Sequence, residues 1–96
     1  MIETQARVST PNGAKYAEQL CKHFAHKITA TFADGRGECR FDVGSAVMDA
    51  DADGLTITVS ASDAAGNERL QKVIESHLVR FAFREQMATF QWNRIQ

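Results

Sequence analysis

The sequence predicts an α+β two-layer sandwich, a mostly antiparallel sheet with two amphipathic helices on one face, in the order β-α-β-β-β-β-α-β. Two observations lead there. Between Lys27 and Ser62, apolar residues recur at every second position in short runs separated by tight-turn residues, the pattern of an antiparallel meander with one buried face. On either side lie stretches whose apolar residues are three and four apart, the spacing of a helix with one apolar stripe. Strand runs flanked by such helices pack as two layers. At 96 residues the chain reads as one domain, residues 1–96, with a modest core.

In order, Thr4–Ser9 alternates weakly, with Ala6 and Val8 on one side, as a short first strand at a sheet edge. Thr10-Pro11 then starts a helix. The Thr10 hydroxyl can accept from an orphan amide, and Pro11 at the first helical position loses no bond it needs. That helix runs to about His26 with Ala17, Leu20, Cys21 and Phe24 on its apolar face. Lys27–Ala33 sets Ile28, Ala30 and Phe32 against Thr29 and Thr31, and Asp34-Gly35-Arg36-Gly37 turns the chain. Glu38–Val43 and Ala46–Ala50 follow around a turn at Gly44-Ser45. Asp51-Ala52-Asp53-Gly54 turns into the cleanest alternation, Leu55–Ser62. Ser62 or Asp63 caps a second helix, which continues through Leu70–Glu85 with Leu70, Val73, Ile74, Leu78 and Phe81 on one face. Ala88–Trp92 alternates again as a last strand.

The bulk composition excludes more than it identifies. A net charge of −1 gives no general pull toward nucleic acid or an anionic membrane. No apolar run is long enough to span a bilayer, and the N-terminus M-I-E-T-Q-A-R-V lacks the pattern of a signal peptide, which places the protein in the cytoplasm. Two isolated cysteines in that compartment, Cys21 and Cys39, read as buried thiols and not as a bridge.

Three stretches invite chemistry. On a helical wheel of about 100° per residue, His77 falls within about 20° of Leu70, on the core-facing side. The plain reading is a buried imidazole hydrogen-bonded to a neighbour. The sharper one has His77, Arg80 and Arg84 lining a pocket where guanidiniums grip a carboxylate or phosphate. Arg84 beside Glu85 also suits a structural ion pair. At the end of the first helix, His23 and His26 are three residues apart, close enough to share a metal, yet two ligands are too few and Cys21 faces elsewhere. Lys22, His23, His26 and Lys27 equally complement the carbonyl end of the helix dipole. Asp49–Gly54 resembles the opening of a calcium loop, but Ser60 stands where the twelfth-position carboxylate belongs, so it reads as an acidic hairpin turn. No nucleophile constellation appears, and no catalytic or metal-ligating residue is assigned.

L-C-K-H-F-A-H-K at Leu20–Lys27 and H-L-V-R-F-A-F-R-E at His77–Glu85, with Thr10-Pro11 and the F-x-W of Phe90 and Trp92, resemble the small bacterial proteins grouped as domain of unknown function 2218 (DUF2218). The resemblance covers nearly the whole chain. It implies an α+β domain and no established activity. Similar domains occur joined to siderophore-interacting flavin reductases, which implies an association with iron uptake.

If both helices pack on one sheet face, their ends can meet, setting His23, His26 and Lys27 across a cleft from His77, Arg80 and Arg84. The leading expectation is therefore a binding module for a small anionic ligand, such as a ferric siderophore, or for a siderophore-interacting reductase. A histidine-using or metal-dependent enzyme and a homodimeric interaction module are the alternatives. The sequence names no cofactor, and neither nucleic acid nor membrane is expected as a partner.

Overall fold

The computed structural model describes residues 1–85 and 90–96. The elements are β1 (Ile2–Ser9), α1 (Gly13–Phe24), β2 (Thr29–Ala33), β3 (Arg36–Phe41), β4 (Gly44–Ala50), β5 (Gly54–Ala61), α2 (Ala64–Phe81), a 3-10 turn (Phe83–Glu85) and β6 (Asn93–Arg94). Their order is the expected one, and every strand pairing is antiparallel. The sheet runs β2-β3-β4-β5-β1-β6, so four consecutive strands form a meander and β1 returns beside the last of them.

Local chemistry explains the turns. Asp34 and Gly35 both take positive φ, 51° and 77°, which closes β2 onto β3 in a two-residue turn whose twist matches the strands. Between β4 and β5, Asp51 Oδ1 accepts from the amides of Asp53 and Gly54, each at 2.9 Å. It also accepts from Arg7 Nη2 at 2.9 Å. The Arg7 guanidinium and these amides hold the Asp51 carboxyl down at about 2. The acidic stretch is thus the hairpin turn that the sequence suggested.

Several boundaries move, each for a visible reason. α1 begins at Gly13 instead of Pro11, because Thr10 Oγ1 accepts from the Asn12 amide at 3.1 Å and forms a turn ahead of the helix. Gly13 then lies against the sheet, where a Cβ would come within 2.7 Å of the Gly54 carbonyl oxygen. α1 ends at Phe24, whose carbonyl accepts from both Lys27 and Ile28, leaving His26 in the turn. β3 turns at Asp42-Val43, not at Gly44-Ser45, since Gly44 is already paired with both Phe41 and Ala61. β1 is not an edge strand: β6 pairs with Thr4 and Gln5 on its outer side. For the expected strand Ala88–Trp92, Ala88 and Thr89 lie outside the described residues. Phe90–Trp92 is not in the ladder. Its alternation marks two aromatic rings, 6.4 Å apart, that pack on the core, with the Trp92 indole donating to Glu75 of α2.

The covered sheet face supplies Ala46, Met48, Leu55, Ile57 and Val59. The helices supply Ala17, Leu20, Ile74 and Leu78, all of them wholly buried. Within this core sits a polar knot that hydropathy does not announce. Asn67, 1% exposed, donates to the carbonyls of Ile2 and Val59 at 2.9 and 3.0 Å and accepts from the Thr4 hydroxyl at 2.7 Å. Gln71 donates to Asn67 Oδ1 and Thr4 Oγ1, closing the network. At the start of α2, Asp63 accepts from the Gly66 amide at 2.7 Å, which is the cap expected there. The network therefore pins the first turn of α2 to two strands at once.

At its other end α2 stops at Phe81, short of the expected Glu85. The 3-10 turn carries Glu85 to the start of α1, where it accepts from Asn12 Nδ2 at 3.0 Å and from the Tyr16 hydroxyl. Thr10, Tyr16 and Asn12 together hold the Glu85 carboxyl below the usual carboxylate range. The ion pair expected between Arg84 and Glu85 is replaced by these neutral donors.

Two expectations follow from these ties. Asn67→Ala removes the acceptor of the buried Thr4 hydroxyl and the side-chain donor to the Ile2 and Val59 carbonyls, so the loss is about 2 kcal/mol, read as a lower urea midpoint at unchanged slope. Glu85→Ala costs about 1 kcal/mol at neutral pH. Because the folded pKa of Glu85 lies below its unfolded value, its contribution is present above the ordinary carboxylate range and lost as pH falls through the folded value. Urea titrations of both proteins from pH 7 downward should therefore show the gap narrowing in acid.

Candidate functional site

The end of α1 and the late turns of α2 meet over the outer part of the sheet. The His23 and His77 rings lie 4.9 Å apart, and His23 also meets Phe81 edge-on at 5.9 Å. Phe24 stands edge-on to His77 at 5.0 Å and to Phe41 of β3 at 5.2 Å. Together with His26, Lys27 and Ile28, these residues line a cavity of about 500 Å³, apart from Phe81, which lies outside the lining. That volume suits a small organic ligand. Its floor is apolar, formed by Phe24, Ile28 and Phe41, and its polar groups are three imidazoles and one ammonium. No carboxylate lines it.

His77 makes the hydrogen bond that the plain reading called for, and its ring also lines the cavity. It is half-buried, and its Nδ1 lies 2.7 Å from the Val73 carbonyl one turn back. A carbonyl can only accept, so Nδ1 carries a proton and donates. This fixes the neutral tautomer with Nε2 unprotonated. Nε2 has no hydrogen-bond partner among the described residues, so it is left to accept from a ligand, or to donate once protonated.

Of the six residues singled out, the structure brings four together: His23, His26, Lys27 and His77. Arg80 and Arg84 are not in the cavity wall. The reason is helix direction. Tyr16, early in α1, meets Glu85, whereas His23, late in α1, meets His77, so the two helices run in opposite senses. Beyond His77, α2 therefore leads away from His26 and Lys27 toward the start of α1. Arg80 is exposed on the last turn, and the Arg84 guanidinium sits 5.6 Å from the centre of the Phe83 ring. Sequence reasoning missed Phe41 and Ile28 as cavity walls. Their inward register is readable, but not that the helix layer stops short of them.

The groups in the arrangement are of the kinds that hold a ligand by charge and by stacking. Among the described residues, no three His, Cys, Asp or Glu side chains converge as metal donors. Cys21 and Cys39 are buried free thiols with sulfurs 3.9 Å apart, outside the cavity wall. The hydrogen bond shared with Cys21, reinforced by burial, pushes the Cys39 thiol up. Gly37 makes room for them, since a Cβ there would lie 2.6 Å from Cys21 Sγ. No described helix is long and apolar enough to cross a membrane.

Comparison with known proteins supports the same architecture. The NMR structure of PA4090 from Pseudomonas aeruginosa superposes with a TM-score of 0.83 at 27% sequence identity, covering 97% of this chain and 96% of that one. No curated protein sequence matches. A family model described as an uncharacterized protein conserved in bacteria (DUF2218) matches residues 5–93. With that match spanning nearly its whole length, the chain belongs to the DUF2218 family.

Proposed function

We propose that the cavity between the end of α1 and His77 is a non-catalytic binding site for a small anionic ligand with an apolar or aromatic body. The observation that carries this reading is the composition of the wall: His23, His26, His77 and Lys27 converge over Phe24, Ile28 and Phe41 with no acidic side chain among them. An anion seated there exchanges water for charge-assisted hydrogen bonds, and its apolar part covers Phe41 and Ile28, which the helices leave partly covered. A ferric siderophore, with negatively charged chelating groups on aromatic arms, belongs to that ligand class. A siderophore-interacting reductase would then be the natural donor or acceptor of the cargo. Both refinements rest on ligand chemistry and on the likeness of the two helical motifs to proteins of that setting.

The test is a titration with salicylate and with the iron(III) complex of 2,3-dihydroxybenzoate, followed by thermal shift and calorimetry. Both probes should raise the melting temperature. Lys27→Ala and His77→Ala should each weaken binding by roughly tenfold. The double variant Arg80→Ala/Arg84→Ala should bind as wild type. If neither probe binds, or if binding is indifferent to Lys27 and His77, the proposal fails. Loss of binding in the Arg80/Arg84 variant alone would move the site to the far end of α2.

A further inference from the structure

β2 is the terminal strand of the sheet and pairs only with β3 among the described residues. Natural edge strands are kept from pairing with other chains by charges, proline, bulges, shortness or a covering segment. The far edge follows that rule, being the two-residue β6 that carries Arg94. β2 does not. Its five residues, T-A-T-F-A, hold no charge and no proline, and each pairs in register with β3 without a bulge.

The direction of its free main-chain groups follows from the turn that ends it. A two-residue turn of positive φ makes its flanking residues, Ala33 and Arg36, a hydrogen-bonded pair. Alternation along an antiparallel ladder then assigns Thr31 and Thr29 to bonds with β3 as well. The N–H and C=O groups of Ala30 and Phe32 therefore point away from the sheet. The side chains of these two residues are half-buried on the helix-covered face, and those of Thr29, Thr31 and Ala33 are exposed on the other.

We infer that β2 is a self-association edge, through which two copies of this chain join their sheets antiparallel about a two-fold axis at Thr31. In that register Ala30 of each copy opposes Phe32 of the other. The outward groups of both residues meet as two hydrogen-bonded pairs, inward side chain beside inward side chain. Thr31 faces Thr31 of the second copy as the closely spaced pair, with Cα atoms about 4.5 Å apart. The ends also complement each other: Lys27 precedes the strand and Asp34 follows it, so antiparallel pairing brings the basic end of each copy to the acidic end of the other. The axis stands perpendicular to the sheet, which places both helix layers on one side of a continuous twelve-stranded sheet, six strands from each copy. The short contact makes the dimer a reversible one of micromolar strength, on the order of 10–100 µM, since its buried area falls below the standard interface.

Sedimentation equilibrium of the full chain, from about ten micromolar to about one millimolar, should show monomer passing to dimer over the concentration range of a weak interface. Ala30→Pro removes an outward amide that the β2–β3 ladder does not use, so it should stay folded by circular dichroism and sediment as monomer throughout. Thr31→Cys should give a dimer band on mild diamide oxidation that reductant removes. Thr58→Cys, half-buried on the same uncovered sheet face away from the edge, should not. The cross-link reports on the edge even if Ala30→Pro does not fold. A wild type that remains monomeric over the whole range overturns the inference. So does a dimer that survives in folded Ala30→Pro, or cross-linking as strong at Thr58→Cys as at Thr31→Cys.

Discussion

The sheet has one apolar face, and among the described residues two α-helices, of twelve and eighteen residues, are available to cover it. That mismatch shapes the rest of the molecule. The centre of the face, Met48, Leu55, Ile57 and Val59, disappears completely beneath the helices. Past the end of α1 the cover runs out, because α1 ends at Phe24 and the chain must turn back to start a strand. Ile28 and Phe41 stay only partly covered there. The cavity occupies this gap. It is a consequence of the length of α1, with His26 and Lys27 placed at its mouth by the turn that ends the helix.

The parts of the structure carried by a period are legible in the sequence. Alternation over Leu55–Ser62 and Thr29–Ala33, and the stripe of Leu70, Ile74 and Leu78, report burial directly, and burial decides these elements. The parts carried by single side chains are not. Glu85 ends α2 early by reaching residues more than sixty positions away, and no local pattern encodes that pull. Phe90 and Trp92 imitate a strand because both rings face the core from an irregular segment. Asn67 had a signal that was available: it lies three residues before Leu70 and seven before Ile74, on the same stripe. A polar residue at such a position must find its bonds inside the protein, and here it finds them on β1 and β5.

His77 illustrates why site residues resist sequence reading more than core residues do. Its wheel position is that of a core residue, and a buried imidazole hydrogen-bonded to a neighbour is the plain reading of it. The bond exists, to Val73, yet it uses only one nitrogen. The same bond that satisfies the ring also orients it and sets its tautomer, leaving the other nitrogen available to a ligand. A structural bond and a free ring nitrogen thus coexist in this residue. Arg80 and Arg84 carry more charge but stand where the antiparallel course of α2 takes them, away from the other bases.

A net charge of −1 would seem to argue against an anion site, and the distribution of charge resolves this. On the uncovered sheet face Arg7 pairs with Asp51, and Arg36 with Glu38 and Asp49. On the helices, Lys22 and Lys72 pair with Glu18 and Glu68 one turn away. These exposed pairs add little stability, but each leaves little net charge where it sits. In the cavity, by contrast, Lys27 and three imidazoles share a wall with no acid in it. The apolar floor of Phe24, Ile28 and Phe41 lowers the local dielectric, which strengthens the attraction between the Lys27 ammonium and an anion. A nearly neutral chain can therefore carry a site whose ionisable groups are all bases, and here they gather where α1 ends.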